Sequence, residues 1–320
     1  MVETAGRITL WGVEVFVAAA DERSISIAAR RLGASPSSVS QQLTNLETAL
    51  GTTLLDRSAR PMNLTPAGAL FLKRAQAILN EAEQARAELA LGAMSQLSRL
   101  RLGMIEDFDA DVTPRLLSEL AGDMQSTRFL LETGASHRLH DQLDARALDV
   151  IIAADTGASA DWMEVHALME EPFVAAVPRG VADTADPTQT LRDLPLVQYT
   201  ARHHMGRVIS DHLARQNIHL HNRFELDSYH AIMAMVAAGA GWTIITPLGF
   251  FHAQRFRAQT ELIELPFAPI TRRINLTARE GVLGNLPHDM AARARTILTD
   301  MIVDPAAQSY PWLRDKLVVL

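Results

Sequence analysis

Apolar residues recur every three or four positions near the start of the chain, which is the spacing of one buried helix face. This spacing predicts a helix over residues 8–20, whose apolar side holds Leu10, Val13, Phe16, Val17 and Ala20. A second, shorter helix follows, because Ser24 is a good N-cap and precedes another apolar face: Ile25, Ala28, Ala29 and Leu32. Gly33 ends this helix, where a left-handed backbone is favoured. Two short helices joined by a tight turn are typical of a helix-turn-helix.

The third helix has two contrasting faces. It begins at Ser35 and Pro36, a capping side chain followed by a proline at the first helical position. One stripe is apolar and is expected to pack on the other helices: Val39, Leu43, Leu46 and Leu50. The opposite stripe is polar and uncharged: Ser37, Ser40, Gln41 and Thr44. Such side chains can reach base edges in a major groove, although an ordinary amphipathic helix in a three-helix core is the alternative.

Two short strand-like runs, residues 54–57 and 62–64, flank Ser58-Ala59-Arg60-Pro61 and predict a β-hairpin. Beside the third helix this hairpin would form a wing with Arg60 at its tip. An arginine held on a rigid ribbon suits a narrow minor groove or the phosphate backbone of DNA.

A long helix is predicted after Thr65 and Pro66, which again pair a cap with a proline. Its apolar positions form a sustained seam: Ala67, Phe71, Ala75, Ile78, Ala82, Ala85 and Leu89. A seam of this length suits pairing with a second copy of the same helix, and a two-fold symmetric protein would read two DNA half-sites. The alternative is a helix packed on the body of its own subunit.

Beyond residue 98 strand-like and helix-like segments alternate. The first set is a strand over 100–105, a helix over 113–120, a strand over 128–132, a helix over 136–146 and a strand over 149–153. This β-α-β-α-β order predicts a parallel sheet covered by helices. A second set follows, with strands over 173–177, 196–199, 223–226 and 243–246 and helices over 207–216 and 229–238.

Composition narrows the function classes. A chain of 320 residues is long enough for about two domains. The absence of cysteine excludes disulfides, Cys-ligated metal sites and thiol-based redox sensing within this chain. The net charge of −7 is unevenly spread, because the first 74 residues are mildly basic and the remainder is acidic. No secretory signal and no membrane-spanning stretch are recognised, so a cytoplasmic protein is expected.

Residues 10–68 resemble the DNA-binding domain of LysR-type transcriptional regulators. The matching run includes Ala28-Ala29-Arg30-Arg31-Leu32, Val39-Ser40-Gln41-Gln42-Leu43, Leu54-Leu55-Asp56-Arg57 and Leu64-Thr65-Pro66-Ala67-Gly68. A second match, Val236-Ala237-Ala238-Gly239-Ala240-Gly241-Trp242 followed by Thr246-Pro247, resembles the effector domain of that family. The resemblance implies DNA contacts from these positions: Ser35, Pro36, Ser37, Ser40, Gln41, Thr44, Arg57, Arg60 and Pro61. Pro36 departs from the glutamine that the family often has there.

The resemblance also implies the architecture. An all-α winged helix-turn-helix (residues 1–65) with a long linker helix (66–91) and a hinge (92–98) precedes an α/β effector domain (99–303). That domain resembles two-lobed periplasmic binding proteins, with lobe I over about 99–170 and 267–303 and lobe II over about 171–266. The last segment, residues 304–320, exceeds the pattern and is interpreted as an extra packing or oligomer element.

A ligand cleft is expected beyond the carboxyl ends of the strands. The residues that this rule places there are Ile105, Glu106, Asp107, Phe108, Ser136, His137, Tyr199, Thr200, His203, His204, Asp227, Tyr229 and Thr246. Four acids in the first loop, Glu106, Asp107, Asp109 and Asp111, cannot welcome an anion without a compensating cation. With nearby aromatic rings they favour a cationic or zwitterionic effector, whereas acids that merely cap the following helix and face water are the alternative.

Other chemistry is weakly indicated. Six histidines lie within residues 203–230, and His219-Leu220-His221 would present two rings on one face if it were a strand. Exposed histidines or hydrogen-bond partners of an effector are the simpler interpretation, so neither a metal nor a cofactor is expected. No catalytic motif is recognised, and the rival interpretation is a cleft-type enzyme or solute-binding protein with an added helical domain.

The sequence thus predicts a homo-oligomeric regulator. A dimer, or the tetramer that is usual for the family, would bind an interrupted palindrome in double-stranded promoter DNA. A small-molecule effector in the cleft would change the angle between the lobes, and with it DNA bending and the access of RNA polymerase.

Overall fold

The computed structural model describes residues 7–59, 61–89, 97–157, 160–181 and 187–320, which divide into two compact units. The first unit is mainly helical. Its helices are α1 (Leu10–Glu22), α2 (Ile25–Arg31), α3 (Pro36–Leu50) and α4 (Pro66–Leu89), and its two strands are β1 (Leu55–Asp56) and β2 (Asn63–Leu64). β1 and β2 pair antiparallel, so the predicted hairpin is present.

Side-chain caps set the helix boundaries in this unit. Thr9 accepts a hydrogen bond from the amide of Gly12, which starts α1 at Leu10, two residues later than predicted. Ser24 and Ser35 cap α2 and α3 as predicted, each accepting from the amide three residues ahead. Gly33 follows α2 with a φ of 63°, where an L side chain would be strained.

The core of the first unit joins all four helices to the hairpin. The predicted apolar stripe of α3 is buried at Val39, Leu43 and Leu46. Phe16 of α1 packs on Phe71 of α4 with ring centroids 5.3 Å apart. A side chain at residue 68 would collide with the carbonyl oxygen of Leu54, because a Cβ there would lie 1.9 Å from it. Glycine at this position therefore lets α4 pack directly against the start of the hairpin.

The seam predicted for the long helix needs a correction. Ala75 is buried, and Ala67 and Phe71 pack against the core of their own unit, so these positions are not available to a second copy. The alternative interpretation, a helix packed on its own body, therefore holds for the first half of α4. The exposed apolar side chains of α4 among its described positions include Leu70 and Ile78. Residues 90–96, which hold the predicted end of this helix and most of the predicted hinge, lie outside the described residues.

The second unit is a two-lobed α/β structure, as predicted. Its strands are β3 (Arg99–Met104), β4 (Arg128–Thr133), β5 (Val150–Ala154), β6 (Met163–Pro172), β7 (Val174–Pro178), β8 (Leu196–Tyr199), β9 (Asn222–Leu226), β10 (Thr243–Ile245), β11 (Thr260–Ile263), β12 (Thr271–Arg279) and β13 (Val318–Val319). Its helices are α5 (Val112–Asp123), α6 (Ser136–Asp144), α7 (Pro187–Asp193), α8 (His204–Arg215), α9 (Tyr229–Ala237), α10 (Pro247–His252), α11 (Leu286–Leu298) and α12 (Asp304–Ser309).

Lobe I is built on a six-stranded sheet of order β13-β6-β12-β5-β3-β4. The predicted parallel part is present, since β3 pairs parallel with both β4 and β5. The sheet as a whole is mixed, however, because β6, β12 and β13 pair antiparallel. The parallel sheet predicted for residues 100–153 is thus confirmed, and three further strands that the prediction did not include extend it antiparallel.

Lobe II contains an antiparallel sheet of order β10-β7-β11 and a parallel pair, β8 and β9. The chain enters this lobe between β6 and β7 and returns between β11 and β12. β6 and β12, the two strands that join the lobes, lie side by side in lobe I with Glu171 opposite Arg272. The lobes are thus connected through two adjacent, hydrogen-bonded strands.

The C-terminal segment packs on lobe I. Val318 and Val319 pair with Glu170 and Met169 of β6, and the amide of Leu320 donates to the carbonyl of Leu168. Residues 304–320 therefore include a packing element that extends the sheet. Within the described ranges, no helix is long and apolar enough to cross a bilayer.

Candidate functional site

The polar face of α3 is open on the surface of the first unit. We call Ser37, Ser40, Gln41 and Thr44 the α3 strip. Ser37, Gln41 and Thr44 are exposed and Ser40 is half-buried, so the unit's own core does not cover the strip. Ser35 and Pro36, at the start of the same helix, are exposed as well.

The α3 strip presents both donors and acceptors. The Gln41 side-chain amide donates to the Asn45 carbonyl oxygen over 2.9 Å, and the Thr44 hydroxyl donates to the backbone carbonyl of Ser40. These local bonds hold the side chains in place in the free protein. A side-chain amide such as that of Gln41 can exchange its neighbour for an adenine edge, to which it bonds through two atoms.

A glutamate ties the hairpin to α3. One carboxylate oxygen of Glu47 accepts from the amides of Leu54 and Leu55, and the other accepts from Arg57 over 2.6 Å. The Arg57 guanidinium also lies 3.4 Å from the Thr44 hydroxyl, beside the α3 strip. Glu47 was not among the predicted site residues, because its partners lie in the following loop. Pro61 is exposed in the hairpin, whereas Arg60 lies outside the described residues.

The second unit contains a cavity of about 370 Å³ lined by residues from both lobes. Ten of the predicted effector residues line it: Ile105, Glu106, Asp107, Ser136, His137, Tyr199, His203, His204, Asp227 and Tyr229. Most of them follow the carboxyl end of a strand or begin a helix, as the rule for α/β sheets requires.

Three of the predicted effector residues do not line the cavity. Phe108 is fully buried in the core. Thr200 is buried too, because its hydroxyl donates to Glu225 over 2.6 Å. Thr246 caps α10 by accepting from the amide of Gly249. Proximity in sequence to a strand end therefore placed these residues near the cavity, but their side chains turn into the protein.

Arg272 is the cation that the sequence did not reveal. Its Nη2 donates to Asp107 over 2.5 Å and to the Thr246 hydroxyl over 3.1 Å, and its Nε donates to Glu171 over 2.6 Å. Glu171 is fully buried, and its second oxygen accepts from the amide of Leu248. Arg272 is therefore a compensating cation for Asp107, of the kind that the four acids of the first cleft loop would need before an anion could bind there.

Burial dominates the electrostatics of this network. Burial raises the pKa of Glu171, and Arg272 opposes that shift. Burial also disfavours the charge on Arg272, yet Glu171 and Asp107 outweigh it, so the pKa of Arg272 is raised. The guanidinium is consequently held in its charged form, which is the form that both carboxylates need as a partner.

Rings form a continuous wall of the cavity. The Tyr199 and His203 rings lie 5.9 Å apart, and the His203 and His137 rings lie 6.3 Å apart. Burial, with smaller contributions from Asp107 and Glu106, raises the pKa of Tyr199 to about 12. Burial likewise lowers the pKa of His137 and of His204. Near neutral pH the phenol is therefore protonated and these two imidazoles are uncharged.

The histidine-rich segment gives no support to a metal site. His219 and His221 lie in an irregular segment before β9, so the strand geometry that the hypothesis required is missing. Within the described part of the chain, no three metal-binding side chains are grouped so that they could hold an ion.

Comparisons with known proteins agree for both units. Residues 10–69 match the model of the bacterial regulatory helix-turn-helix protein of the lysR family, and residues 95–294 match the LysR substrate binding domain. A probable hydrogen peroxide-inducible genes activator of Mycobacterium avium is 32% identical over 277 residues, which are 85% of this chain and 88% of the other.

Solved structures share the fold along most of the chain. Full-length OxyR from Pseudomonas aeruginosa superposes with a TM-score of 0.67 at 24% identity, over 91% of this chain and 95% of the other. Full-length CbnR complexed with its target DNA superposes with a TM-score of 0.60 at 20% identity, over 92% of this chain and 99% of the other. The two solved structures therefore share the fold of this chain.

Proposed function

Since this chain belongs to the LysR family of bacterial helix-turn-helix transcriptional regulators, we propose that its α3 strip reads DNA and its lobe cavity binds the effector. Members of the family bind DNA, self-associate and respond to small molecules through the second domain. The observation that carries the proposal is the exposure of the α3 strip on the surface of the first unit.

DNA reading by α3 follows from the chemistry of its surface. The exposed side chains are short and uncharged, so they fit against base edges without repelling phosphate. They lie in the N-terminal half of the helix, whose positive end favours the phosphate backbone. Arg57, anchored by Glu47, supplies a positive charge beside the strip, and Arg60 and Pro61 are proposed as further contacts.

Pairing of two subunits would place two α3 helices on one duplex. Leu70 of α4 is 75% exposed and Ile78 is 39% exposed. Apolar side chains of this size on one helix favour contact with a second copy. We infer that α4 pairs through this outer side and that the dimer binds an interrupted palindrome.

The cavity is proposed as the effector site because its walls come from both lobes. A ligand that touches both lobes can bind one lobe arrangement more tightly than another and so shift the population. The likeness to hydrogen peroxide-inducible activators does not bring a thiol-based response with it, since this chain contains no cysteine. We therefore propose reversible binding of a small molecule rather than oxidation of a thiol.

Substitution of Gln41 tests the assignment of the α3 strip. Gln41→Ala is expected to reduce the preference for the promoter site over a scrambled duplex by about 1–3 kcal/mol, the contribution of one bidentate base contact. Gel shifts with both duplexes measure this preference. Gln42→Ala is the matched control, because Gln42 is the next residue, has the same side chain and is turned about 100° around the helix. An unchanged preference in Gln41→Ala would show that the strip does not read the site.

A further inference from the structure

The carboxylates of two acids on the cavity wall have no partner in the part of the chain that the structure describes. Asp107 pairs with Arg272, and Asp109 lies 3.2 Å from the His252 ring. Glu106 and Asp227 also line the cavity, and within the described ranges neither carboxylate makes a hydrogen bond or ion pair. These two carboxylates therefore leave a negative region on the wall whose charge is not balanced by the protein.

Tyr229 is a second indication of a ligand site beside Glu106 and Asp227. Its side chain lines the cavity and the residue is only 6% exposed, yet its hydroxyl has no hydrogen-bond partner among the described residues. Burial, followed by the charges of Asp107 and Asp109, raises the pKa of Tyr229, so the phenol stays protonated. The hydroxyl is therefore a free donor and acceptor on the cavity wall, available to a ligand. Together with Tyr199 it also offers aromatic surface to a cation.

A different part of the wall favours a negative group. α8 begins at His204, and the side chain of its N-cap residue, His203, does not cap it. Nδ1 of His137, in the first turn of α6, is buried without a partner among the described residues. The His137 ring and the N-terminal ends of α6 and α8 line the cavity here, and helix N-termini favour an anionic ligand group.

We propose that the effector is a small zwitterion, with its cationic group between Glu106 and Asp227 and its anionic group at His137 and the start of α8. This inference rests on the proposed function, in which the cavity is the effector site. A dianion would meet two unpaired carboxylates. A simple cation would leave His137 and the helix N-termini unsatisfied. The volume of about 370 Å³ lies near the lower end for ligand pockets and fits a small molecule.

Binding to the full chain tests this assignment with matched probes. Glycine, β-alanine, γ-aminobutyrate and ε-aminocaproate vary the distance between the two charges, while butylamine and butyrate each carry one charge only. Calorimetry is expected to show that at least one zwitterion binds about tenfold or more tightly than either half-molecule, since each end contributes a charge-assisted contact. Equal or tighter binding of butyrate or butylamine would overturn the proposal. Failure of every zwitterion to bind would overturn it as well.

Variants locate the two ends of the bound probe. Glu106→Gln and Asp227→Asn are each expected to weaken the best zwitterion by about 10- to 100-fold, the loss of a charge-assisted contact. Asp109→Asn removes the same charge from a nearby acid that does not line the cavity, and it should change affinity by less than about twofold. Equal losses of affinity in all three variants would contradict the proposal, because they would mean that the general negative charge of this region, rather than contact with Glu106 and Asp227, attracts the probe.

Failure here and failure of the proposed function give different results. If no zwitterion binds but promoter DNA is still retarded in a Gln41-dependent manner, only the ligand class is wrong. If the promoter is not bound specifically at all, the proposed function is wrong whatever the cavity holds.

Discussion

The α3 strip and the lobe cavity are two surfaces of opposite construction. The strip lies within eight positions of one helix and contains no charged side chain. The cavity collects residues from position 105 to position 273 and contains carboxylates, imidazoles, phenols and a guanidinium. The chemical character of a surface on one helix can therefore be predicted from the sequence, residue by residue. The charge of an assembled cavity depends instead on a partner such as Arg272, which lies 165 positions from Asp107.

Removing Arg272, the partner of Asp107 and Glu171, should have the largest effect on stability. Arg272→Met is expected to lower the free energy of unfolding of the second unit by about 3–5 kcal/mol, because it leaves a buried charge without compensation. Denaturant titration measures the loss. Arg273→Met is the control, since Arg273 is the next residue on β12 and pairs with Glu170 at the surface. Equal losses in both variants would contradict the importance of the buried network.

The next largest effect is expected at Arg57, which lies beside the α3 strip, and it concerns DNA binding rather than stability. Arg57→Ala is expected to weaken binding to any DNA and to make the dependence of log affinity on log salt shallower by about one, the loss of one phosphate contact. Its ion pair with Glu47 is partly exposed, so the free energy of unfolding should fall by less than about 1 kcal/mol. Titrations of DNA binding at several salt concentrations measure the slope. Arg115→Ala, in the second unit, removes a similar surface pair with Glu119 and should leave the slope unchanged.

The smallest expected effect is a dependence of stability on pH, which arises from the cavity and not from the α3 strip. His137 and His204 have lowered pKa values in the fold, mainly because of burial, whereas no side chain of the α3 strip titrates. His137 faces His203, Arg207, Arg138 and Asp141, and His204 faces Arg207, His137, Arg272 and His140. An unfolded histidine binds its proton near pH 6.5, so in this range the unfolded chain takes up more protons than the fold. The stability of the second unit should therefore be complete above about pH 6.5 and decline as the pH falls below it.

Thermal unfolding of the second unit between neutral and mildly acidic pH measures this decline. The double variant His137→Gln and His204→Gln should flatten it, while His219→Gln, at an exposed position outside the cavity, should not. A decline of the same size in the double variant would place the responsible groups elsewhere.

Local features of the fold could be predicted from the sequence because their causes are local. Ser24, Ser35 and Gly33 act within a few residues of themselves, and the structure places each where the sequence predicts it. The polar strip opposite Val39, Leu43 and Leu46 follows from the period of one helix. The spacing of apolar residues predicts that α4 has an apolar face, but it does not indicate whether that face packs on its own core or on another chain.

Long-range features could not be predicted in the same way. β6, β12 and β13 come from distant parts of the chain, and the strand alternation of residues 99–154 does not indicate that they would join the same sheet. Phe108, Thr200 and Thr246 lie close in sequence to residues of the cavity wall, but their side chains are buried and do not line it. The sequence did not indicate the roles of Glu47 and Arg272, because the groups that each of them contacts come close only in the folded chain.

The buried network around Arg272 also constrains how the lobes can bend. Arg272 and Glu171 sit opposite each other on the two connecting strands, while Thr246 and Leu248, which bond to them, belong to lobe II. A hinge motion that pulled these groups apart would bring charged atoms out of bond and into partial contact with water, at a cost of several kcal/mol per ion. We therefore expect a change in lobe angle that keeps these hydrogen bonds to cost less free energy than a separation of the lobes that breaks them.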